Sequence, residues 1–223
     1  MMQSLKQVIS NTFCKPFRPD LKKISAQYPD DYASFTKVAK QFKNKPYGKK
    51  KVSIYYPGSG SDVATLLLIV NAFCDAKTKH ITFICLDNRS FFEGLCAQLK
   101  NLAPGGWWMF KNKKNYSHVD ILYKDVKLSL IFYFGDANHD TPELVKKGYD
   151  MYIERAFEIF RNADPHQFNR IVNLVHSKGL IMSDYGFTEK GIVSQNIRKN
   201  FVRLKNIPLK FGLYNQFQIW QKK

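Results

Sequence analysis

The segment Val52-Ser-Ile-Tyr-Tyr-Pro-Gly-Ser-Gly-Ser-Asp62 constrains this chain more than any other stretch. A short β-branched and aromatic run stops at Pro-Gly-Ser-Gly, and an apolar run, Val63 to Phe73, follows at once. That pattern predicts a buried strand, a tight glycine turn and a helix. Gly58 and Gly60 lack a Cβ, so the backbone can turn sharply and a ligand can come close. The helix that follows presents N–H groups and the positive end of its dipole. In an open α/β sheet this is how a nucleotide-like ligand is met. A dinucleotide fingerprint needs a third glycine, and Val63 stands at that position. A phosphate loop needs Gly-Lys-Ser/Thr, which is absent here. The turn therefore suits an adenosine ligand without a pyrophosphate, or serves only as a structural turn.

Two further segments carry acids to strand ends. His80 to Leu86 reads as a second buried strand ending in Asp87 and Asn88. A carboxylate at such a tip can accept both hydroxyls of a ribose; alternatively, Asp87 caps a helix starting near Ser90. Val126 to Phe134 reads as another apolar strand, followed by Gly135-Asp136-Ala137. Asp136 could accept a hydrogen bond from an adenine amino group or simply shape a turn.

Together these residues resemble the class I S-adenosylmethionine-dependent methyltransferases, over roughly residues 48 to 223. The order of elements supports the resemblance: Tyr149 to Glu154 looks like the fourth strand, Pro165 to Lys178 like the next helix and Gly179 to Ser183 like the fifth strand. Phe211 to Tyr214 and Phe217 to Gln221 look like the hairpin that closes this family's sheet, with Asn215-Gln216 at the turn. The resemblance implies an α/β three-layer sandwich with a seven-stranded, mostly parallel sheet and a C-terminal antiparallel hairpin. It implies S-adenosylmethionine as cofactor. Gly58 and Gly60 would face its methionine part, with Tyr56, Pro57, Ser59 and Asp62 around the turn. Asp87 and Asn88 would meet the ribose, and Asp136 and Ala137 the adenine. The family often has an acid two positions before the first glycine, where this chain has Tyr56. Asp62 lies close by, at a natural helix-capping position.

The chain has 223 residues, 44% of them hydrophobic, enough for one sizeable core. Residues 1–47 read as an N-terminal helical cap, with amphipathic helices over Gln3–Thr12 and Asp31–Phe42, and residues 48–223 as the Rossmann-like domain. No apolar stretch reaches the length of a membrane span, and the N-terminus lacks the apolar core of a secretory signal, so a cytoplasmic protein is expected. The cysteines at 74, 85 and 96 fall in apolar segments and read as reduced core residues. No cysteine or histidine has zinc-ligand spacing, so no metal is expected. His139 is the one histidine near the expected pocket mouth. A net charge of +17 favours a polyanionic partner, and Trp107 to Tyr116 interleaves aromatics with cations as a nucleic-acid strand would require. The same tryptophans would also serve to pack a hairpin onto the core.

Methyl transfer from a sulfonium asks the protein mainly to align the acceptor. The segments after the fourth and fifth strands are where acceptor contacts are expected, which makes Glu154, Arg155, Asp184 and Tyr185 the candidates. No Asn/Asp-Pro-Pro-Tyr/Phe motif follows the fourth strand, and no cysteine follows the fourth or fifth. Two readings stand: a methyltransferase acting on a nucleic acid or a small molecule, or an inactive methyltransferase-fold module binding nucleic acid or a protein through its basic surface.

Overall fold

The computed structural model describes residues 17–20, 22–23, 33, 49–73, 77–102, 107–112, 114–154, 165–183, 194–208 and 216–223. Nine strands form one sheet: β1 (Lys51–Pro57), β2 (His80–Asp87), β3 (Trp107–Asn112), β4 (Tyr116–Tyr123), β5 (Val126–Phe134), β6 (Tyr149–Glu154), β7 (Val175–Ser183), β8 (Phe201–Pro208) and β9 (Gln216–Lys222). Their spatial order is β3-β4-β5-β2-β1-β6-β7-β9-β8. The five central strands, β5 to β7, run parallel, and β9 is antiparallel to both β7 and β8. The described helices are α1 (Val63–Phe73), α2 (Arg89–Leu102), α3 (Glu143–Lys146), α4 (Pro165–Asn173) and α5 (Gln195–Arg198).

Strand alternation builds the layers. Ile54 and Tyr56 of β1, Phe83 and Cys85 of β2, and Leu128 and Leu130 of β5 face a core shared with α1 and α2. Tyr55, Ile84, Leu86, Tyr152 and Ile181 face the other way, onto Phe168, Ile171 and Val172 of α4. Both faces are covered, so the parallel strands read as continuous apolar runs rather than alternating ones. Helix α1 is buried from Val63 through Val70, which explains its nearly unbroken apolar sequence.

Three boundaries differ from the sequence expectation. The seven expected strands are joined by β3 and β4, which extend the edge next to β5. A two-residue turn at Lys124-Asp125, both at positive φ (50° and 63°), connects β4 to β5. This is the mirror-image turn that matches strand twist, here without the glycine that usually signals it. The expected helix over 165–178 stops at Asn173, and β7 begins at Val175. Tyr149 N–H bonds Leu174 O, and three extra residues bulge out between the Tyr149–Val175 and Met151–Leu180 pairs. On the side away from β7, β9 pairs with Phe201–Pro208; the expected strand Phe211–Tyr214 lies outside the described residues. The expected helix Gln3–Thr12, and Asp31–Phe42 apart from Ala33, also fall outside them. Phe17 is described: it is buried in the α1–α2 core and donates its N–H to Leu122 O. No described helix is long and apolar enough to cross a membrane.

Candidate cofactor site at the carboxyl edge of the sheet

Strand β1 has β2 on one side and β6 on the other, so chain connections leave it in both directions. Ligands of open α/β sheets bind outside the carboxyl ends of the strands at such a reversal. The glycine turn sits there. Gly58 and Gly60 adopt φ of 58° and 56°, the left-handed region closed to most side chains. The turn is braced onto β2: Gly58 N–H donates to Leu86 O at 2.9 Å, and Gly60 N–H to Asp87 Oδ2 at 3.0 Å. Asp87 Oδ1 accepts from Asn88 N–H at 2.8 Å. Each carboxylate oxygen offers two lone pairs, so one acceptor site per oxygen remains beyond these bonds. Asn88 caps α2 through its side chain, accepting from Phe91 N–H at 3.3 Å. The capping role weighed for Asp87 thus belongs to its neighbour.

Asp62 caps α1, accepting from Thr65 N–H at 2.9 Å through Oδ1. Its Oδ2 accepts from the Tyr56 hydroxyl at 3.1 Å and from the Thr65 hydroxyl. The first turn of α1 therefore spends part of its N–H capacity inside the protein. Pro57 and Ser59 are buried in the turn, with Ser59 beside Cys85, whose thiol burial pushes up to about 12.

Beyond β5 the chain forms a compact loop. Asp136 Oδ1 accepts from the N–H and the side-chain amide of Asn138, at 2.8 and 2.9 Å, while its own N–H donates to Asp140 Oδ2 at 2.8 Å. Asp136 thus shapes its turn, and its side chain stays 54% exposed at the rim. Ala137 is buried beneath it. His139 is exposed beside a 500 Å³ cavity with Lys146 and Arg170. Asp140 is a residue that sequence reasoning missed. Its carboxylate holds the loop and would meet a Cβ at Gly135 at 2.5 Å, so the Gly-Asp-Ala-Asn-His-Asp spacing carried the signal. A second cavity, 540 Å³, opens between Leu86, Tyr133, Phe134, Asp140, the β3–β4 loop residue Asn115 and Tyr116 at the start of β4. The Arg89 guanidinium stacks 4.2 Å over the Phe134 ring at its rim.

The residues fit the adenosine half of the expected cofactor: a carboxylate with open acceptor sites at the tip of β2, next to an apolar cavity wide enough for a purine. A Cβ at Gly60 would touch only Phe91, at 3.9 Å, so the turn leaves room for a ligand. Three buried oxygens near the site lack a hydrogen bond among the described residues: Ser59 Oγ in the turn itself, Tyr55 Oη, whose phenol burial pushes far up, and Asn138 Oδ1. Of the acceptor candidates, Glu154 closes β6 fully buried and accepts from the Tyr152 hydroxyl at 3.2 Å. Arg155, Asp184 and Tyr185 lie outside the described residues.

No protein-family model matches this sequence, and no curated protein does. Solved structures do resemble it. A point mutant of MtNAS in complex with S-adenosylmethionine aligns over 98% of this chain and 71% of its own, at 12% identity and a TM-score of 0.49. The N-methyltransferase NodS from Bradyrhizobium japonicum WM9, in complex with S-adenosyl-L-homocysteine, aligns over 97% of both chains at 7% identity and a TM-score of 0.49. An S-adenosyl-L-methionine-dependent methyltransferase, so described only provisionally, from Methanococcus maripaludis aligns over 91% of this chain and 90% of its own, at 14% identity and a TM-score of 0.48. The parallel centre, the reversal at β1 and the antiparallel β8–β9 hairpin against β7 are the architecture that the sequence resemblance implies: a mostly parallel α/β sheet closed by a C-terminal antiparallel hairpin.

Proposed function

We propose that the chain is an S-adenosylmethionine-dependent methyltransferase acting on a nucleic acid or a small molecule. The observation that carries this reading is the glycine turn at the β1 reversal, fixed to the tip of β2 by the Gly60–Asp87 bond. When bound, the cofactor supplies an activated methyl group on a sulfonium. The chain's own residues bind and orient. Asp87 accepts the ribose hydroxyls through the lone pairs that Gly60 and Asn88 leave open, and the loop at Asp136 and Ala137 borders the base. Rate acceleration then comes mostly from holding the acceptor in line. In this reading Glu154, which ends β6, takes a proton if the acceptor must lose one. Arg155, Asp184 and Tyr185 follow β6 and β7 in sequence and complete the acceptor side of this proposal.

One observation favours the rival reading of a non-catalytic module: the acid expected at position 56 is a tyrosine, and its hydroxyl serves the Asp62 cap. Calorimetric titration with S-adenosylmethionine and S-adenosylhomocysteine separates the two. Micromolar binding that Gly58→Arg abolishes in a folded protein supports the pocket. No heat at millimolar cofactor would favour the module.

A further inference from the structure

Six lysines of this chain line the edge of the sheet opposite the candidate site. Lys124 lies in the β4–β5 turn, Lys79 precedes β2, Lys50 precedes β1, Lys147 precedes β6, Lys178 stands in the β7 bulge and Lys223 follows β9. All six are exposed. They follow the spatial order of six adjacent strands, β5-β2-β1-β6-β7-β9, at the amino ends of the parallel ones. Hydrogen bonds to backbone carbonyls hold this row in place: Lys127 N–H to Lys79 O and Lys79 N–H to Lys50 O, both 3.0 Å, and the Ser177 hydroxyl to Lys223 O at 3.0 Å. Five intervals between strands make a line of positive charge roughly 24 Å long.

Opposing charge is withdrawn from this edge. Asp150 and Asp120 keep only 7% and 2% of their side chains exposed. Asp150 is held by Lys49 at 2.5 Å and His176 at 3.2 Å, and Asp120 by Lys127 at 2.7 Å and His118 at 2.9 Å. Among the described residues at the starts of these strands, Asp125 is the one exposed carboxylate. The aromatics of this edge, Tyr123, Tyr149, Phe201 and Trp220, are buried. Single-strand binders combine cations with exposed stacking faces, and among the residues whose exposure is described this edge offers cations alone.

We infer that the amino edge of the sheet is a docking surface for duplex nucleic acid, gripped through its phosphates without reading the sequence. A span of roughly 24 Å matches about seven phosphates along one strand of a duplex. Contacts of this kind fix position rather than sequence. The surface lies on the far side of the sheet from the glycine turn, so duplex and cofactor bind independently, and the inference does not depend on the proposed activity.

The test is fluorescence anisotropy of a labelled DNA duplex of roughly 15 base pairs, titrated with the full chain between about 50 and 200 mM salt. Six phosphate contacts give a slope of log affinity against log salt near −5. The triple variant Lys50→Gln, Lys79→Gln, Lys147→Gln should bind at least about tenfold more weakly at low salt and lose about three units of slope. The pair Arg89→Gln, Lys114→Gln, at the carboxyl edge, should bind as the parent does. Absence of duplex binding overturns the inference. So does loss of binding in the carboxyl-edge pair alone, which would put the duplex over the crevice as an acceptor, or tighter binding to a single strand or to phosphatidylserine vesicles. Circular dichroism checks that the triple variant folds; if it does not, Lys50→Gln alone should still lose about one unit of slope. A protein that binds duplex but no cofactor keeps this inference and sinks the methyltransferase reading.

Discussion

The Tyr56 hydroxyl donates to Asp62 Oδ2 at 3.1 Å, tying the tyrosine that stands where the resemblance leads one to expect an acid to the nearest acid in the sequence. Asp62 in turn caps α1 through Thr65 N–H. Removing the cap in Asp62→Ala should cost about 1–2 kcal/mol of stability, whereas Tyr56→Phe removes one bond to a carboxylate and should cost about 1.5 kcal/mol, the low end for a bond to a charged group. Urea denaturation of both single variants and the double variant measures the coupling. Additive losses would show that the tyrosine does not orient the cap.

Asp87 joins turn, strand and proposed ribose site, so its substitutions should separate the charge from the brace. Asp87→Asn keeps an acceptor for one backbone N–H but loses the charge-assisted bonds. It should weaken cofactor binding by about 10- to 100-fold, the equivalent of one bond to a charged group. Calorimetry with S-adenosylhomocysteine reads this directly, and unchanged affinity would remove Asp87 from the site.

The glycines divide into two kinds. Gly60 sits at positive φ with open space around it, so Gly60→Ala meets backbone strain alone and should cost about 1–2 kcal/mol. At Gly179 a Cβ would approach Asp150 O and His176 O at 2.7 Å and Val175 Cγ1 at 2.5 Å. The backbone oxygens cannot yield cheaply, so Gly179→Ala should cost about 3 kcal/mol and loosen the β7 bulge. The ratio of the two losses in thermal or urea unfolding is the check.

Acid should unfold the protein through two sites on the lysine-rich edge. Burial would raise the Asp150 carboxyl, but the bonds from Lys49, Ser53 N–H and His176 outweigh it and hold the group below its ordinary 3.8. Burial first, then the Lys127 ammonium, hold His80 below its ordinary 6.5 against the pull of Asp120. In both cases the unfolded chain binds protons more readily, so stability is present above the unfolded value and is lost as pH falls. The loss should begin below about pH 6.5 with His80 and steepen below about 3.8 with Asp150. In His80→Gln the first phase of the urea-midpoint profile should flatten; an unchanged profile there would exclude this origin.

The fold was largely legible along the chain because its parallel strands are buried on both faces and so appear as apolar runs between glycine and acid punctuation. Val52 to Asp62, His80 to Asp87 and Val126 to Phe134 fall where strands β1, β2 and β5 end at the site. The Gly58–Gly60 turn and the Asp62 cap are local chemistry, so the sequence alone determined them. Other features depend on distant partners, which only the tertiary structure decides. The pairing of β9 with Phe201–Pro208 is set by contacts across the sheet. The end of α4 at Asn173 is set by Tyr149, which claims Leu174 O for the sheet. Asp140 braces a loop by folding back onto Asp136 N–H, and the lysines of six strands meet on one edge because parallel strands align their starts. Local patterns fix turns, caps and buried runs; which acid is spent inside the protein and which cations share a surface depends on contacts between residues far apart in the chain.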